Sequence, residues 1–148
     1  MIIRKADCKD TEEILKVWYD ASKIAHSFIS EEMLVEQQKE IRNKYLPIAE
    51  TWVAEENKII CGFISLIDHY VGGLFINLQY QGNGIGTALI EMAKTEKGVL
   101  TVGVYVKNIN ARAFYEKMGF VPINEELQVE TGEIVLNMIL NNEYAVLV

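Results

Sequence analysis

Cysteine and proline are both scarce in this sequence. Only two cysteines, Cys8 and Cys61, occur in 148 residues, too few for the disulfide framework that small secreted proteins use. A chain of this length buries enough surface to fold without disulfides or a structural metal. Two prolines, and no segment rich in Pro or Ser, give no sign of an interdomain linker. We therefore expect residues 1–148 to form one domain, with both thiols free in a reducing cytoplasm.

Excess basic charge and long apolar runs are also missing. The chain has 14 Lys and Arg residues against 21 Asp and Glu, a formal net charge of −7. This balance disfavours nucleic-acid binding, which needs clustered cations. The N-terminus lacks the apolar stretch of a signal peptide, and no run approaches the roughly 18 apolar residues of a membrane helix. We predict neither a nucleic-acid partner nor a membrane anchor. The acidic excess favours solubility, and it would also suit a cationic substrate.

The spacing of apolar residues predicts a mixed α/β chain. Alternating or continuous apolar segments predict strands over residues 2–4, 51–54, 59–67, 71–76, 99–106, from 120 onward and 134–140. Three-and-four spacing predicts two helices before residue 47, one after the glycines near residue 84, and one over residues 111–118. The element order is then βααβββαβαββ. Because a helix joins strands 71–76 and 99–106, these two should lie parallel, whereas the hairpins are antiparallel.

A glycine-rich turn lies between a predicted strand and a predicted helix. Its sequence is Gln81-Gly82-Asn83-Gly84-Ile85-Gly86-Thr87. Glycines at the start of a helix let several backbone N–H groups point at one anion, such as a phosphate; the alternative is a tightly packed turn without a ligand. The spacing G-x-G-x-G differs from the G-x-G-x-x-G of dinucleotide sites, and the Gly-Lys-Ser/Thr of the P-loop is missing. The turn therefore predicts a phosphate site of another kind.

Two segments of the chain match one known family. Gln81, Gly84 and Gly86 form the pattern Gln-x-x-Gly-x-Gly, which resembles the acetyl-coenzyme A motif of the GNAT superfamily of N-acetyltransferases. Residues 108–120 resemble that family's N-x-x-A-x-x-F-Y-x-x-x-G-F segment. The predicted element order fits the same fold, so the resemblance extends over essentially the whole chain. Trp18 and the Ala-His-Ser-Phe-Ile-Ser turn over residues 25–30 are similar to small bacterial members.

The resemblance implies both a fold and a cofactor site. The fold is a mixed, mostly antiparallel sheet flanked by helices, in which two central parallel strands splay apart and admit the pantetheine arm of acetyl-coenzyme A. The reaction is transfer of the acetyl group to a primary amine of a small molecule or peptide. The residues expected to contact the cofactor are the strand Leu74, Phe75 and Ile76, the turn Gln81, Gly82, Asn83, Gly84, Ile85, Gly86 and Thr87, and Asn108 and Arg112.

The candidate proton donor is Tyr115. A departing thiolate, with a pKa of about 8.5, benefits from a donor, and a phenol with a pKa of about 10 keeps its proton at neutral pH. Tyr115 matches the position of the family's general acid. Its helical spacing with Ala111, Phe114 and Met118 would equally suit a core residue. Asn108 is expected to orient the pantetheine or the thiol, or only to cap the following helix.

The candidate base is His26. An acceptor amine with a pKa of about 10.4 must lose a proton before it attacks, at a cost of roughly 4.6 kcal/mol at pH 7. A histidine titrates near neutral pH, so His26 is predicted to bind the substrate or to act as the base. Trp18 and Tyr70 are predicted to line the acceptor pocket, with a core or surface position as the alternative for each. No glutamate base is evident near strand 71–76.

The sequence also bears on metal binding, on a non-catalytic function and on the C-terminal residues. The histidines are far apart and no paired cysteines occur, so we predict no metal site. A non-catalytic domain that binds or senses acyl-coenzyme A is the alternative function, because such a domain needs the phosphate cradle but no base. The apolar residues 144–148 predict either a frayed end or a contact with a second subunit in a homodimer.

Overall fold

The computed structural model of the protein describes residues 1–141. The strands are β1 (Ile2–Lys5), β2 (Glu50–Glu56), β3 (Ile59–Ile67), β4 (Tyr70–Ile76), β5 (Val99–Tyr105), β6 (Val121–Gln128) and β7 (Glu133–Asn141). The helices are α1 (Thr11–Ala25), α2 (Glu31–Glu40), α3 (Ile85–Lys97) and α4 (Ile109–Lys117). A π-helical turn, Ile41–Tyr45, continues α2, and short 3₁₀ turns occupy Cys8–Asp10 and Leu78–Tyr80. The predicted order βααβββαβαββ is confirmed.

The seven strands form one sheet in the order β1-β2-β3-β4-β5-β7-β6. Within residues 1–141 the pairing of β4 with β5 is parallel, and the other pairings are antiparallel. That parallel pairing covers only Tyr70 with Thr101 and Val71 with Val102. Beyond these two pairs the strands diverge, which confirms the predicted splay.

The divergence begins at an irregularity in β4. Ser65 of β3 pairs with Gly73, whereas the next residue, Leu66, pairs with Val71, so Gly72 is an extra residue in the ladder. An extra residue bends its strand and increases the local twist. The bend falls where β4 leaves β5, at the consecutive glycines Gly72 and Gly73.

Helices cover both faces of the sheet. On one face α1 and α2 pack on Val53, Ile60 and Phe63. On the other face α3 and α4 pack on a larger core that includes Leu100 and Met138. Strand β3 is buried along most of its length because both faces are covered. The strand order places the gap between β4 and β5 in the middle of the sheet.

Four further expectations concern the thiols, a membrane helix, a metal site and the C-terminus. Cys8 is exposed and Cys61 is buried, and both are free thiols. Across residues 1–141, no helix has the length and apolar character needed to cross a bilayer. In the same range no group of three or more His, Cys, Asp and Glu side chains is arranged to hold a metal ion. Residues 144–148, on which the homodimer prediction rests, lie outside the described residues.

Candidate active site

The divergence of β4 and β5 opens a cavity of about 420 Å³. Its walls come from α1, α2 and the π-helical turn, from β3 to β5, from the first turns of α4, and from one residue each of β6 and β7. Seven residues singled out from the sequence line it together: Trp18, His26, Tyr70, Leu74, Phe75, Asn108 and Tyr115. The glycine-rich turn, Ile76 and Arg112 do not line this cavity; they lie at or beyond the C-terminal end of β4 and on α4.

The glycine-rich turn has the backbone conformation of an anion cradle. Gly82 and Gly84 have φ of +83° and +78°, a left-handed region that other residues rarely adopt. A Cβ atom at either position would meet nothing within 4 Å, so the space above the turn is open. Gly84 caps α3 without a side-chain hydrogen bond. The first N–H groups of α3, from Ile85 to Thr87, therefore face outward with no intrahelical acceptor.

Side chains within the turn hold its shape. Gln81 donates from Nε2 to the carbonyl oxygen of Ile76 at 3.3 Å, which ties the turn to the end of β4. Asn83 donates from Nδ2 to the carbonyl oxygen of Tyr80 at 3.0 Å. Two of the residues predicted to bind the cofactor are thus engaged in shaping the cradle. The free backbone N–H groups are the donors left for a phosphate.

Arg112 carries a positive charge on α4, the helix whose Phe114 ring would lie 3.3 Å from a Cβ on Gly86 of the turn. Its Nη1 donates to the carbonyl oxygen of Val106 at 3.2 Å, and within the described part of the chain it forms no ion pair with a carboxylate. Lys97 lies at the opposite end of α3 from the cradle and is paired with Glu50 at 3.2 Å. Arg112 is therefore the better placed of the two for a further phosphate group.

The end of β4 has one unpaired edge. Leu74, Phe75 and Ile76 pair with Ile64, Phe63 and Gly62 of β3 on one side. On the other side β5 has already diverged, so that edge has no strand partner among residues 1–141. A free strand edge can bind an extended, amide-containing chain through main-chain hydrogen bonds. The geometry fits the pantetheine arm that the sequence resemblance implied.

Tyr115 combines a core position with access to the cavity. It is 5% exposed, and its ring packs edge-on between Phe114 and Phe120 at centroid distances of 5.2 and 5.1 Å. Burial raises the pKa of its phenol above the ordinary value, so the group is protonated at neutral pH. Its hydroxyl forms no hydrogen bond with any other described residue, although Tyr115 lines the cavity. The phenol is therefore available as a donor.

His26 lies against Asn108. The Nε2 atom of His26 is 3.2 Å from Nδ2 of Asn108, and the imidazole packs edge-on against Tyr105 with centroids 4.8 Å apart. Asn108 also caps α4, because its Oδ1 accepts from the N–H of Ala111 at 3.2 Å. Burial lowers the pKa of His26 from about 6.5 to about 4. So weak a base is a poor proton acceptor for an ammonium group.

Trp18 and Tyr70 also reach the cavity. Trp18 is 6% exposed and packs edge-on against Phe75 at 6.4 Å, so it is a core residue that also forms part of the wall. The side chain of Tyr70, the first residue of β4, extends over Gly103 of β5. Its hydroxyl is 3.2 Å from the position that a Cβ on Gly103 would take. Burial and, to a lesser degree, the charge of Glu126 raise the pKa of Tyr70.

Several cavity residues were not predicted from the sequence. Gln37, Glu40 and Tyr45 come from α2 and the π-helical turn, and Tyr105 and Gln128 come from the ends of β5 and β6. Tyr105 donates to Oε1 of Gln128 at 2.7 Å and accepts from Nε2 of Gln37 at 3.5 Å. Glu40 is the one carboxylate residue in the cavity lining across residues 1–141. These residues lie far apart in the sequence, so no local pattern groups them. The one local signal is the side-chain alternation of β5, which puts Tyr105 on the opposite face from the buried Leu100, Val102 and Val104.

The lowered pKa of His26 predicts a loss of stability in mild acid. Between about pH 6.5 and pH 4 the unfolded chain binds a proton on this histidine and the folded chain does not. The free energy of unfolding therefore falls as the pH falls through this window, by about 2 kcal/mol between pH 7 and pH 4.5 for this group. Urea unfolding of the wild type and of His26→Gln at the two pH values measures it. Equal losses in the two proteins would contradict the prediction.

Known proteins resemble this chain along most of its length. A family model described as an acetyltransferase (GNAT) domain matches residues 8–141. The peptidyl-lysine N-acetyltransferase YjaB of Escherichia coli K12 is 34% identical over 119 residues, which cover 80% of each protein. The peptidyl-lysine N-acetyltransferase YiaC of the same strain is 30% identical over 131 residues, 88% of this chain and 90% of YiaC.

A solved structure extends the similarity to the fold. The solution structure of the apo form of Escherichia coli YjaB superimposes with a TM-score of 0.83 at 29% sequence identity, over 94% of this chain and 97% of YjaB. The family match, the splayed parallel strands and the glycine cradle agree with one another. The chain therefore belongs to the GNAT family of acetyltransferases, enzymes whose acetyl donor is acetyl-coenzyme A.

Proposed function

We propose that the protein acetylates a primary amine of a peptide or small molecule, with the lysine side chain of a peptide as its main acceptor. Acetyl-coenzyme A supplies the activated acetyl thioester, and the amine attacks it directly while both substrates are bound. The observation that carries this proposal is the gap between β4 and β5. It brings a free strand edge, the buried Tyr115 phenol and the acceptor cavity to one place.

The donor side, meaning the proposed site for acetyl-coenzyme A, consists mainly of backbone groups. The N–H groups at the start of α3 would bind the pyrophosphate, and the free edge of β4 over Leu74–Ile76 would bind the amides of the arm. Arg112 would add a charge for the remaining phosphate. Because backbone groups carry most of this binding, a net charge of −7 does not oppose an anionic donor.

Tyr115 supplies a proton to the leaving sulfur. The acceptor nitrogen forms a bond to the acetyl carbon, the carbon–sulfur bond breaks, and one proton is lost from nitrogen and one gained by sulfur. The phenol donates to the sulfur, and the proton that the nitrogen releases to water restores it. The raised pKa of Tyr115 ensures that the phenol, not the phenolate, is present at the start.

The acceptor side suits an ammonium group on an aliphatic chain. Aromatic side chains such as Trp18 and Phe63 line the cavity, and Glu40 provides a negative charge. A lysine side chain has the matching chemistry, with an apolar stem and a cationic end. The relatives YjaB and YiaC are named as peptidyl-lysine N-acetyltransferases, which supports the same class of acceptor. With the pKa of His26 near 4, water in the open cavity is the better route for the proton of the amine.

Measuring release of coenzyme A thiol across a panel of amines tests the proposal. The panel contains peptides with an internal lysine and a blocked N-terminus, matched peptides with a free N-terminus and no lysine, polyamines and aminoglycosides. We expect kcat/KM for the lysine peptides to exceed that for the N-terminal peptides by about tenfold or more. A preference for N-terminal amines would contradict the lysine assignment. Calorimetric binding of acetyl-coenzyme A without turnover of any amine would indicate a binding domain instead.

A further inference from the structure

His26 occupies the junction of four elements. It follows α1 directly and caps it through a hydrogen bond from its own N–H to the carbonyl oxygen of Ser22 at 2.8 Å. Its ring packs edge-on against Tyr105 at the end of β5 and against Phe75 of β4, with centroid distances of 4.8 and 6.3 Å. Asn108, which begins α4, is its hydrogen-bond partner. The imidazole thus contacts both strands beyond the point where they separate.

The cap on α4 determines how the two side chains interact. Oδ1 of Asn108 accepts from the N–H of Ala111 at 3.2 Å, so the other amide atom, Nδ2, faces His26. Nδ2 can only donate, and Nε2 of His26 must therefore be unprotonated and accept. The proton of the neutral imidazole is then on Nδ1. Protonation of Nε2 would place two donors 3.2 Å apart.

We propose that His26 is a positioning residue: by accepting the hydrogen bond of Asn108, it holds the first turn of α4, and with it Tyr115, against the diverging ends of β4 and β5. The inference rests on the proposed function for its catalytic consequence, but the contact it invokes does not. Asn108 is tied on its other side to β5, because its N–H donates to the carbonyl oxygen of Tyr105 at 2.9 Å. A shift of the α4 start would move the phenol, which lies on the same helix.

Two substitutions separate positioning from proton transfer. His26→Gln keeps an acceptor oxygen at about the distance of Nε2, but an amide cannot serve as a base. His26→Phe keeps an aromatic ring against Tyr105 and Phe75 and removes the acceptor. A positioning residue is restored by Gln, whereas a general base is not. The matched control is His69→Gln, since His69 is exposed and is the other of the two histidines in the chain.

The kinetic test compares kcat and KM for the three variants with a lysine peptide as acceptor. We expect His26→Phe to lower kcat by about tenfold to a hundredfold with an unchanged KM for acetyl-coenzyme A, because a small displacement of a catalytic group is enough for that loss. His26→Gln should stay within about threefold of the wild type, and His69→Gln should match it. Equal losses in the Gln and Phe variants, or a wild-type kcat in His26→Phe, would overturn the proposal.

Nitrogen-15 NMR of the imidazoles tests the contact without any turnover. We expect His26 to show a protonated Nδ1 and an unprotonated Nε2 at neutral pH, with His69→Gln used to assign the signals. Asn108→Ala should remove the hydrogen bond and change the Nε2 signal. An Nε2–H tautomer in the wild type would overturn the proposal even if the enzyme is active. If no amine is acetylated, the proposed function fails, and the NMR result still decides the role of His26.

Discussion

Tyr115→Phe is expected to lower kcat by about a hundredfold to a thousandfold while the affinity for acetyl-coenzyme A stays nearly unchanged. The substitution removes one oxygen atom and leaves a ring that fits between Phe114 and Phe120. Because the Tyr115 hydroxyl has no partner among the described residues, removing it leaves no buried group unpaired. The loss should therefore appear in the chemical step and not in folding or in donor binding.

Steady-state kinetics with a lysine peptide, together with calorimetry of acetyl-coenzyme A binding, measures the two quantities separately. The control is Tyr19→Phe, which makes the same chemical change at a hydroxyl that donates to Glu31 at 2.7 Å, outside the cavity. It should leave kcat unaltered. A wild-type kcat in Tyr115→Phe would remove this phenol from the mechanism, and a large loss of donor affinity would assign it to binding.

Gly84→Val is expected to weaken binding of acetyl-coenzyme A by about a hundredfold or more. Gly84 has φ of +78° at the N-cap of α3, and a β-branched residue is strained in that conformation. Relief of the strain would change the backbone of the turn, so the N–H groups at the start of α3 would no longer point at one phosphate. The added side chain would also enter the open space where the phosphates are proposed to bind.

A matched variant separates the loss of the cradle from general destabilisation. Gly98 caps the opposite end of the same helix, also with φ of +78° and with nothing within 4 Å of an added Cβ. Gly98→Val should lower the midpoint of thermal unfolding to a similar extent and leave the dissociation constant for acetyl-coenzyme A as in the wild type. Normal affinity in Gly84→Val would show that the turn is not the phosphate site.

The fold was predictable, and the site for acetyl-coenzyme A could be proposed, because both depend on local rules. Glycines are needed where φ is positive, as at Gly82 and Gly84, and such positions stand out in a sequence. A helix between two strands implies a parallel pair, and the bulge at Gly72 lies in a glycine pair. These features need no knowledge of distant contacts. The element order and the parallel pair followed from them, and the splay was implied by the resemblance of the two motifs to one family.

The acceptor side was less predictable because it is assembled from distant parts of the chain. Gln37, Tyr105 and Gln128 meet through hydrogen bonds that only the tertiary fold brings about. The pKa of His26 is a second property that depends on the tertiary fold. The sequence indicates a base of ordinary pKa, whereas burial against Tyr105 and Asn108 lowers the pKa to about 4. Spacing along the chain carries no information about burial of this kind.

The unpaired edge of β4 has a consequence for the balance between folded and unfolded protein. Only the folded chain presents this edge. A ligand that forms hydrogen bonds along it therefore shifts the folding equilibrium toward the folded state by mass action. At a ligand concentration a hundred times the dissociation constant, the gain is about 2.7 kcal/mol. Free coenzyme A has the same arm as its acetylated form, so in the proposed binding mode it would occupy the same edge. We therefore expect the persistence of the folded protein to depend on the total coenzyme A pool of its surroundings, whether or not the acetyl group is present.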